Sequence, residues 1–345
     1  MSANYAPVLW NRQKKIYDRI MLGLILLYLI LFIVSQVIFF PEITAETLII
    51  RATGTLAFLM LHVILCIGPL ARLNNYFLPL LYNRRHLGVA MFIIALVHGF
   101  FNIIMFHALG NADPLVSLFT ANGQYDSFVN FPFQILGFFA LLILFLMAVT
   151  SHDFWLKNLN PKVWKSLHIL VYVAYFLLMM HVLLGIIQME KSIGSIGVYA
   201  TGMITVIGLH LASAIKEKNS TNGSNGKKEN DFVEICSVEE IANDRAKIVM
   251  INNENIAVYK HDGKISAVNN ICRHQHGPLG EGKIVDGCIV CPWHGYQYLP
   301  HNGQSPAPFT EKLETYDVKI VDGKIYVNPK PYPEGTERPP AVIGK

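Results

Sequence analysis

Charge is scarce in this sequence. Only 15% of its 345 residues are Asp, Glu, Lys or Arg, where an ordinary soluble protein carries about a quarter. With 52% of the residues apolar, a disordered or fibrous chain is excluded. Cysteine is scarce as well: Cys66, Cys236, Cys272, Cys288 and Cys291 are too few and too clustered for a disulfide scaffold. The net charge of +4 gives no sign of nucleic-acid binding, because the basic residues gather in particular loops. A Gly-rich dinucleotide fingerprint is missing; Gly280-x-Gly282 stands without the strand-to-helix context that would give it meaning. No internal repeat occurs at solenoid periods.

What charge there is falls unevenly. Residues 1–215 hold 12 of the 28 Lys and Arg and 7 of the 24 Asp and Glu, and the mean hydropathy of the whole chain is +0.38. A membrane-crossing helix needs about 20 mostly apolar residues. Six stretches qualify: Arg19–Phe40, Thr47–Ile67, Leu87–Leu109, Phe133–Thr150, Val163–Ile187 and Ile196–Ile215. The first is too long for a signal peptide and has no A-x-A-type cleavage site. Arg12, Lys14, Lys15 and Arg19, then Arg72, Arg84 and Arg85, then Lys157, Lys162 and Lys165, then Lys216 and Lys218 all fall on one side of the six spans. Only Arg51 and Lys191 fall on the other. The positive-inside rule therefore predicts a multi-pass protein of the inner or plasma membrane with both termini cytoplasmic.

The run from Lys216 to Asp231 is polar, rich in Asn, Ser and Gly, and reads as a flexible linker. From Phe232 onward short β-rich runs (FVEIC, AKIVMI, NIAVY, KISAV, CIVC, YDVKIV, KIYV) alternate with turn signals, and Asp262-Gly263 and Asp322-Gly323 mark two hairpins. The predicted fold class is multidomain: a six-helix all-α transmembrane bundle (1–215), a linker (216–231), a small all-β domain (232–330) and an irregular Pro-rich tail (331–345).

The β domain carries Cys272-Arg273-His274, then sixteen residues, then Cys291-Pro292-Trp293-His294. Two thiolates and two imidazoles on paired loops can hold zinc or a 2Fe-2S cluster with His on one iron. Structural zinc usually takes C-x-x-C or H-x-x-x-H pairs; here each loop offers one Cys and one His. The segment ICRHQHGPLGEGKIVDGCIVCPWHGYQYLPHNGQSPAP resembles the Rieske family in both cluster loops and in the Gly/Pro-rich stretch behind them. The resemblance implies that Cys272 and Cys291 bind one iron and that His274 and His294 bind the other, with protonation of the histidines making the potential pH-dependent. In the respiratory-complex branch each loop has an extra Cys, where this chain has Gly277 and Trp293. That departure favours the ferredoxin-like branch of a class whose potentials run from about −150 to +300 mV. His276 reads as a loop histidine, and Cys236, Cys288 and Cys66 as small buried hydrophobes.

Intramembrane histidine points to function. His98 and His86 lie on the third span, and His168 and His181 on the fifth. Both spans run outward, so at 1.5 Å per residue His98 rises about 20 Å above Arg85 and His181 about 24 Å above Lys165. These two match in depth, as axial ligands of one haem must. His168 at about 5 Å and His86 at about 2 Å form a second, inner pair, with His62 on the second span the alternative partner at about 15 Å. The runs TGTLAF, IGPLARL, RRHLGVAMFIIALVH and WKSLHILVYVAYFLLMMH resemble the ferric reductase-like transmembrane family. That resemblance implies b-type haem, one or two, with His98, His168 and His181 at motif positions and His86 at a variable one. Arg84 and Arg85 are placed for haem propionates or anionic lipid.

Together these features predict an oxidoreductase that moves electrons across the membrane. A cytoplasmic donor, a ferredoxin or a flavoprotein reductase, would reduce the 2Fe-2S cluster near Arg84 and Arg85. The electron would then pass by haem b to an acceptor at the outer face. No catalytic residue is assigned beyond the redox ligands. Quinol or quinone chemistry at the membrane interface is the alternative, and a carrier or sensor module without its own substrate is the non-enzymatic one. An oxygenase is disfavoured, since no room remains for a catalytic domain with a 2-His-1-carboxylate iron.

Overall fold

The computed structural model describes residues 12–344 except 82, 152–154, 156–160, 191–192, 223–227, 230, 253, 274–276, 293–294 and 308. These form two compact units, each described by itself: Asn11–Ile67 with Asn83–Leu209, and Gly68–Tyr82 with His210–Lys345.

Among the described residues six helices are long and apolar enough to cross a membrane. They are α1 (Arg12–Phe39), α2 (Ala45–Leu73), α3 (Arg84–His107), α4 (Phe133–Thr150), α5 (Pro161–Ile169 and Val171–Gly185, interrupted at Leu170) and α6 (Ile193–Asn222). Large apolar side chains stand exposed along their length, among them Leu24, Leu31 and Ile38 on α1, Phe100 on α3 and Phe176 on α5. Lipid accepts such a surface and water does not. The inward faces meet in a core built on Leu56, Leu61, Met91, Leu144, Ala174 and Val206. Between α3 and α4 a short helix, Pro114–Thr120, is capped by Asp113, whose carboxylate accepts the Leu115 and Val116 N–H groups. At the other end of the bundle Lys216 Nζ donates to the Arg72 and Leu73 carbonyls and so satisfies the C-terminus of α2.

One expectation shifts here. The polar run expected to act as linker continues α6 as far as Asn222. Extending an existing helix fixes one residue per hydrogen bond, and Lys and Glu propagate it readily.

The β unit carries β1 (Lys228–Glu229), β2 (Phe232–Ser237), β3 (Arg245–Ile251), β4 (Glu254–His261), β5 (Lys264–Asn269), β6 (Lys283–Val285), β7 (Cys288–Val290), β8 (Gln297–Tyr298), β9 (Thr315–Tyr316), β10 (Val318–Val321), β11 (Lys324–Val327) and β12 (Ala341–Val342). Two sheets, β1-β2-β11-β10 and β12-β5-β4-β3, enclose Val233, Ile256, Val258, Ile265, Ile325 and Val327. A third, β6-β7-β8, supports a separate core. Three hairpins turn on Asp-Gly pairs with positive φ at both residues: Asp262-Gly263, Asp286-Gly287 and Asp322-Gly323. The Pro-rich tail is largely irregular but firmly held. Tyr332 donates its hydroxyl to Asp317 at 2.8 Å, Arg338 Nε donates to the same carboxylate at 2.7 Å, and β12 pairs with β5.

Candidate redox sites

In the helical unit His98 on α3 and His181 on α5 face each other with ring centroids 6.3 Å apart. Each ring is seated in the same way. His98 Nδ1 lies 2.9 Å from the Ile50 carbonyl, and His181 Nδ1 lies 2.8 Å from the Phe133 carbonyl. A carbonyl only accepts, so both Nδ1 atoms carry hydrogen and both Nε2 atoms keep a bare lone pair, the form that binds a metal. Donation of the second ring nitrogen to a backbone carbonyl is the usual support of a metal-bound imidazole. Four residues beyond each carbonyl stands a glycine against the ring. An added Cβ at Gly54 would lie 2.7 Å from His98 Nδ1, and one at Gly137 would lie 2.8 Å from His181 Nδ1. Two metal–nitrogen bonds of about 2 Å and two half-rings account for the observed centroid spacing, so the pair fits an iron held between two imidazoles.

The other membrane histidines have different surroundings. His86 presents Nδ1 to the Asp18 carboxylate at 2.9 Å, and Asn83 donates to the same group. Its Nε2 is left for another partner. His168 on α5 places Nε2 3.4 Å from Ser151 Oγ. His62 is buried; its Nδ1 donates to Phe58 O at 2.8 Å and its Nε2 meets Tyr175 Oη at 3.2 Å. His107 is also buried, between Ser117 Oγ and Gln134 Oε1, both at 3.1 Å.

In the β unit Cys272 and Cys291 are fully buried in one core with Tyr259, Leu279, Tyr296 and Tyr298. The loop after β5 closes by Cys272 N–H donating to Gly277 O at 2.9 Å. The loop after β7 closes by Cys291 N–H donating to Tyr296 O at 2.8 Å, with Gly295 at φ +73° completing the turn. Tyr298 joins both sides: its hydroxyl lies 3.4 Å from Cys272 Sγ and accepts the Arg273 N–H at 3.1 Å. Burial and the neighbouring Cys272 push the Tyr298 hydroxyl far above its ordinary pKa, so it stays protonated and acts as a donor to sulfur. Burial followed by Glu311 holds Tyr296 up in the same way, and its hydroxyl donates to Glu311. His274 and His294, the two expected histidine ligands, and His276 lie outside the described residues.

Residues 231–317 match the family described as Rieske [2Fe-2S] domain, and residues 53–179 match the ferric reductase like transmembrane component. The chain carries a ferric reductase-like transmembrane domain followed by a C-terminal Rieske domain. Over the Rieske part it is 32% identical to the anthranilate 1,2-dioxygenase ferredoxin subunit of Burkholderia cepacia, covering 27% of this chain and 86% of that one. It is 34% identical to the 3-phenylpropionate/cinnamic acid dioxygenase ferredoxin subunit of Photorhabdus laumondii, covering 27% and 90%. To the cytochrome b6-f complex iron-sulfur subunit of Chlorobaculum tepidum it is 35% identical, over 26% of this chain and 49% of that subunit. A Rieske domain and a ferric reductase-like bundle make the chain an electron-transfer oxidoreductase of the membrane, and the Rieske domain supports a 2Fe-2S cluster.

Two buried thiols on converging loops, with a hydroxyl donor aimed at one sulfur, suit the iron held by cysteine in such a cluster. The remaining cysteines do not compete for it. Cys236 is buried among strands and Cys288 lies at the start of β7; burial pushes both thiols up. The glycines of the isolated Gly280-x-Gly282 serve packing. A Cβ on Gly280 would meet the Ile248 side chain at 2.4 Å, and one on Gly282 would meet Val290 O at 2.1 Å.

Several functional residues were not legible as such in the sequence. Gly137, Ile50 and Phe133 seat the two histidines, and Tyr298 reaches Cys272 from 26 residues away. A glycine inside an apolar helix, four residues after the accepting carbonyl, is the one local signal.

Proposed function

We propose that the chain passes electrons from a cytoplasmic donor, a ferredoxin or a flavoprotein reductase, through the Rieske cluster and b-type haem to an acceptor at the outer face. The observation that carries this reading is the pair His98 and His181, each with Nδ1 fixed on a backbone carbonyl, Nε2 free and the rings 6.3 Å apart. These two would hold one haem; His168, with His86 supported by Asp18, would hold a second nearer the basic end. Cys272, His274, Cys291 and His294 would hold the cluster. Both cofactors cycle by one electron, and the protein supplies ligands, burial and hydrogen bonds that set their potentials. The basic loops at Arg72, Arg84, Arg85 and Lys216 support a cytoplasmic placement for that end and for both termini. Ferredoxin subunits among the Rieske relatives support a carrier role for the cluster, with 232–330 as its domain.

The test is the haem-to-cluster ratio of the purified protein, from a pyridine haemochrome assay beside low-temperature EPR of the reduced cluster. Two haems per cluster are expected. One haem leaves His168 without a cofactor, and none overturns the membrane half of the proposal.

A further inference from the structure

His62 and Tyr175 meet inside the helical unit and belong to neither ligand pair. His62 is 8% exposed. Its Nδ1 donates to Phe58 O, one turn back on α2, which leaves Nε2 as the acceptor of the Tyr175 O–H at 3.2 Å. The third side is closed by α6, where a Cβ on Gly202 would stand 2.7 Å from Nε2. The titratable groups facing the contact are Tyr175 from α5, Tyr199 from α6 and Cys66, one turn along α2. Among the described residues no charged side chain acts on His62. A neutral imidazole whose Nε2 lone pair accepts only a reversible hydroxyl bond, in an apolar interior, is a proton acceptor in waiting.

Its place in the bundle gives it something to respond to. At 1.5 Å per residue His62 lies about 12 Å along α2 from Gly54, the seat of His98, and Tyr175 lies about 9 Å along α5 from His181. In the other direction Tyr175 lies about 10 Å from His168. The contact therefore stands midway between the two ligand pairs. An electron arriving at either adds unit charge to a poorly screened interior, where charges about 10 Å apart still act strongly on each other.

We propose that His62, oriented by Tyr175, takes up a proton when an electron enters the haem between His98 and His181. This rests on the haem reading given above. The balance is one electron from the cytoplasmic donor, reducing ferric to ferrous iron, and one proton from water, bound to His62 Nε2. The hydrogen bond then reverses, with Nε2–H donating to Tyr175 Oη. When the electron leaves for the acceptor, the proton returns to water.

The test is a spectroelectrochemical titration of the full-length, haem-loaded protein between about pH 5.5 and 8.5, reading the midpoint of the haem band. Full coupling shifts the reduction equilibrium tenfold per pH unit, or about 59 mV for one electron. The midpoint should fall as pH rises with a slope approaching that value. In His62→Gln the slope should flatten with haem content and spectrum unchanged. In Tyr175→Phe the protonated imidazole loses the hydroxyl that accepts its Nε2–H, a stronger bond than the neutral one it replaces, so protonation becomes harder and the sloping window should move to lower pH. A pH-independent midpoint in the native protein overturns the proposal, as does a slope that survives in His62→Gln. Loss of haem in His62→Gln alone also overturns it, because His62 is then a ligand. Absence of haem from the native protein is a separate result, which overturns the haem reading itself.

Discussion

Gly137 lies against the ring of His181 so closely that one added carbon would stand 2.8 Å from Nδ1. Gly137→Ala must therefore push the imidazole off the Phe133 carbonyl. Loss of such supporting contacts costs roughly 10–100-fold in metal affinity, and haem content per protein should drop accordingly in a haemochrome assay. Gly208→Ala is the control, since nothing lies within 4 Å of its added carbon; it should keep full haem. Equal haem in both variants would show that the seat does not matter.

Tyr298 donates to the sulfur of Cys272. A donor to sulfur favours the reduced, more negative cluster, so Tyr298→Phe should lower the cluster potential by tens of millivolts, on the order of one hydrogen bond to a charged group. Because burial and Cys272 raise the hydroxyl far above its ordinary pKa, the difference between variant and native protein should be constant across neutral and mildly alkaline pH. Protein-film voltammetry of the two reads both statements. An unchanged potential would remove Tyr298 from the tuning set.

Gly282 and Gly280 separate backbone from side-chain crowding. A Cβ on Gly282 meets two carbonyl oxygens, Val290 O at 2.1 Å and Leu279 O at 2.9 Å, whereas one on Gly280 meets first the movable Ile248 side chain. Gly282→Ala should cost on the order of 3 kcal/mol and lower the melting of the β domain by on the order of 10 °C. Gly280→Ala should cost less. The order of the two melting temperatures, by calorimetry or circular dichroism, checks the argument.

Asp18 holds Nδ1 of His86 at 2.9 Å. With His86 as the inner ligand, Asp18→Asn exchanges a carboxylate for an amide behind the imidazole and weakens its basicity. The expected outcome is a lower haem-to-cluster ratio, with the spectrum of the His98–His181 haem retained. A ratio that stays at the native value in both Asp18→Asn and His86→Ala excludes His86 from the ligand set.

Much of this architecture is local enough to be read from residue order. The six membrane helices follow from apolar runs, and the hairpins at Asp262-Gly263 and Asp322-Gly323 from their turn chemistry. The same signal at Asp286-Gly287 was equally present and marks the hairpin leading into the second cluster loop. The common depth of His98 and His181 follows from helical rise alone. What residue order does not carry is which distant group meets which. The Tyr332 and Arg338 contacts with Asp317 that order the Pro-rich tail, the His62–Tyr175 contact and the reach of Tyr298 to Cys272 all join segments far apart in the chain. Local propensity is silent on such pairings because tertiary packing chooses them. The boundary of α6 missed for a related reason: polar residues past a membrane span look like a linker, yet continue the helix to Asn222.

The two histidine seats share one more property. Each histidine lies 48 residues after the carbonyl that holds it, from Ile50 to His98 and from Phe133 to His181. The loop Gly110–Asn130 falls outside both intervals, while the connections from α2 to α3 and from α4 to α5 fall inside them. Length changes in the Gly110–Asn130 loop leave both seats in register, so this surface is free to diversify in size and chemistry. The two enclosed connections have no such freedom, since an insertion there must be absorbed without turning either helix. On the electron path proposed above, the face that would meet the acceptor can thus change without disturbing either histidine seat.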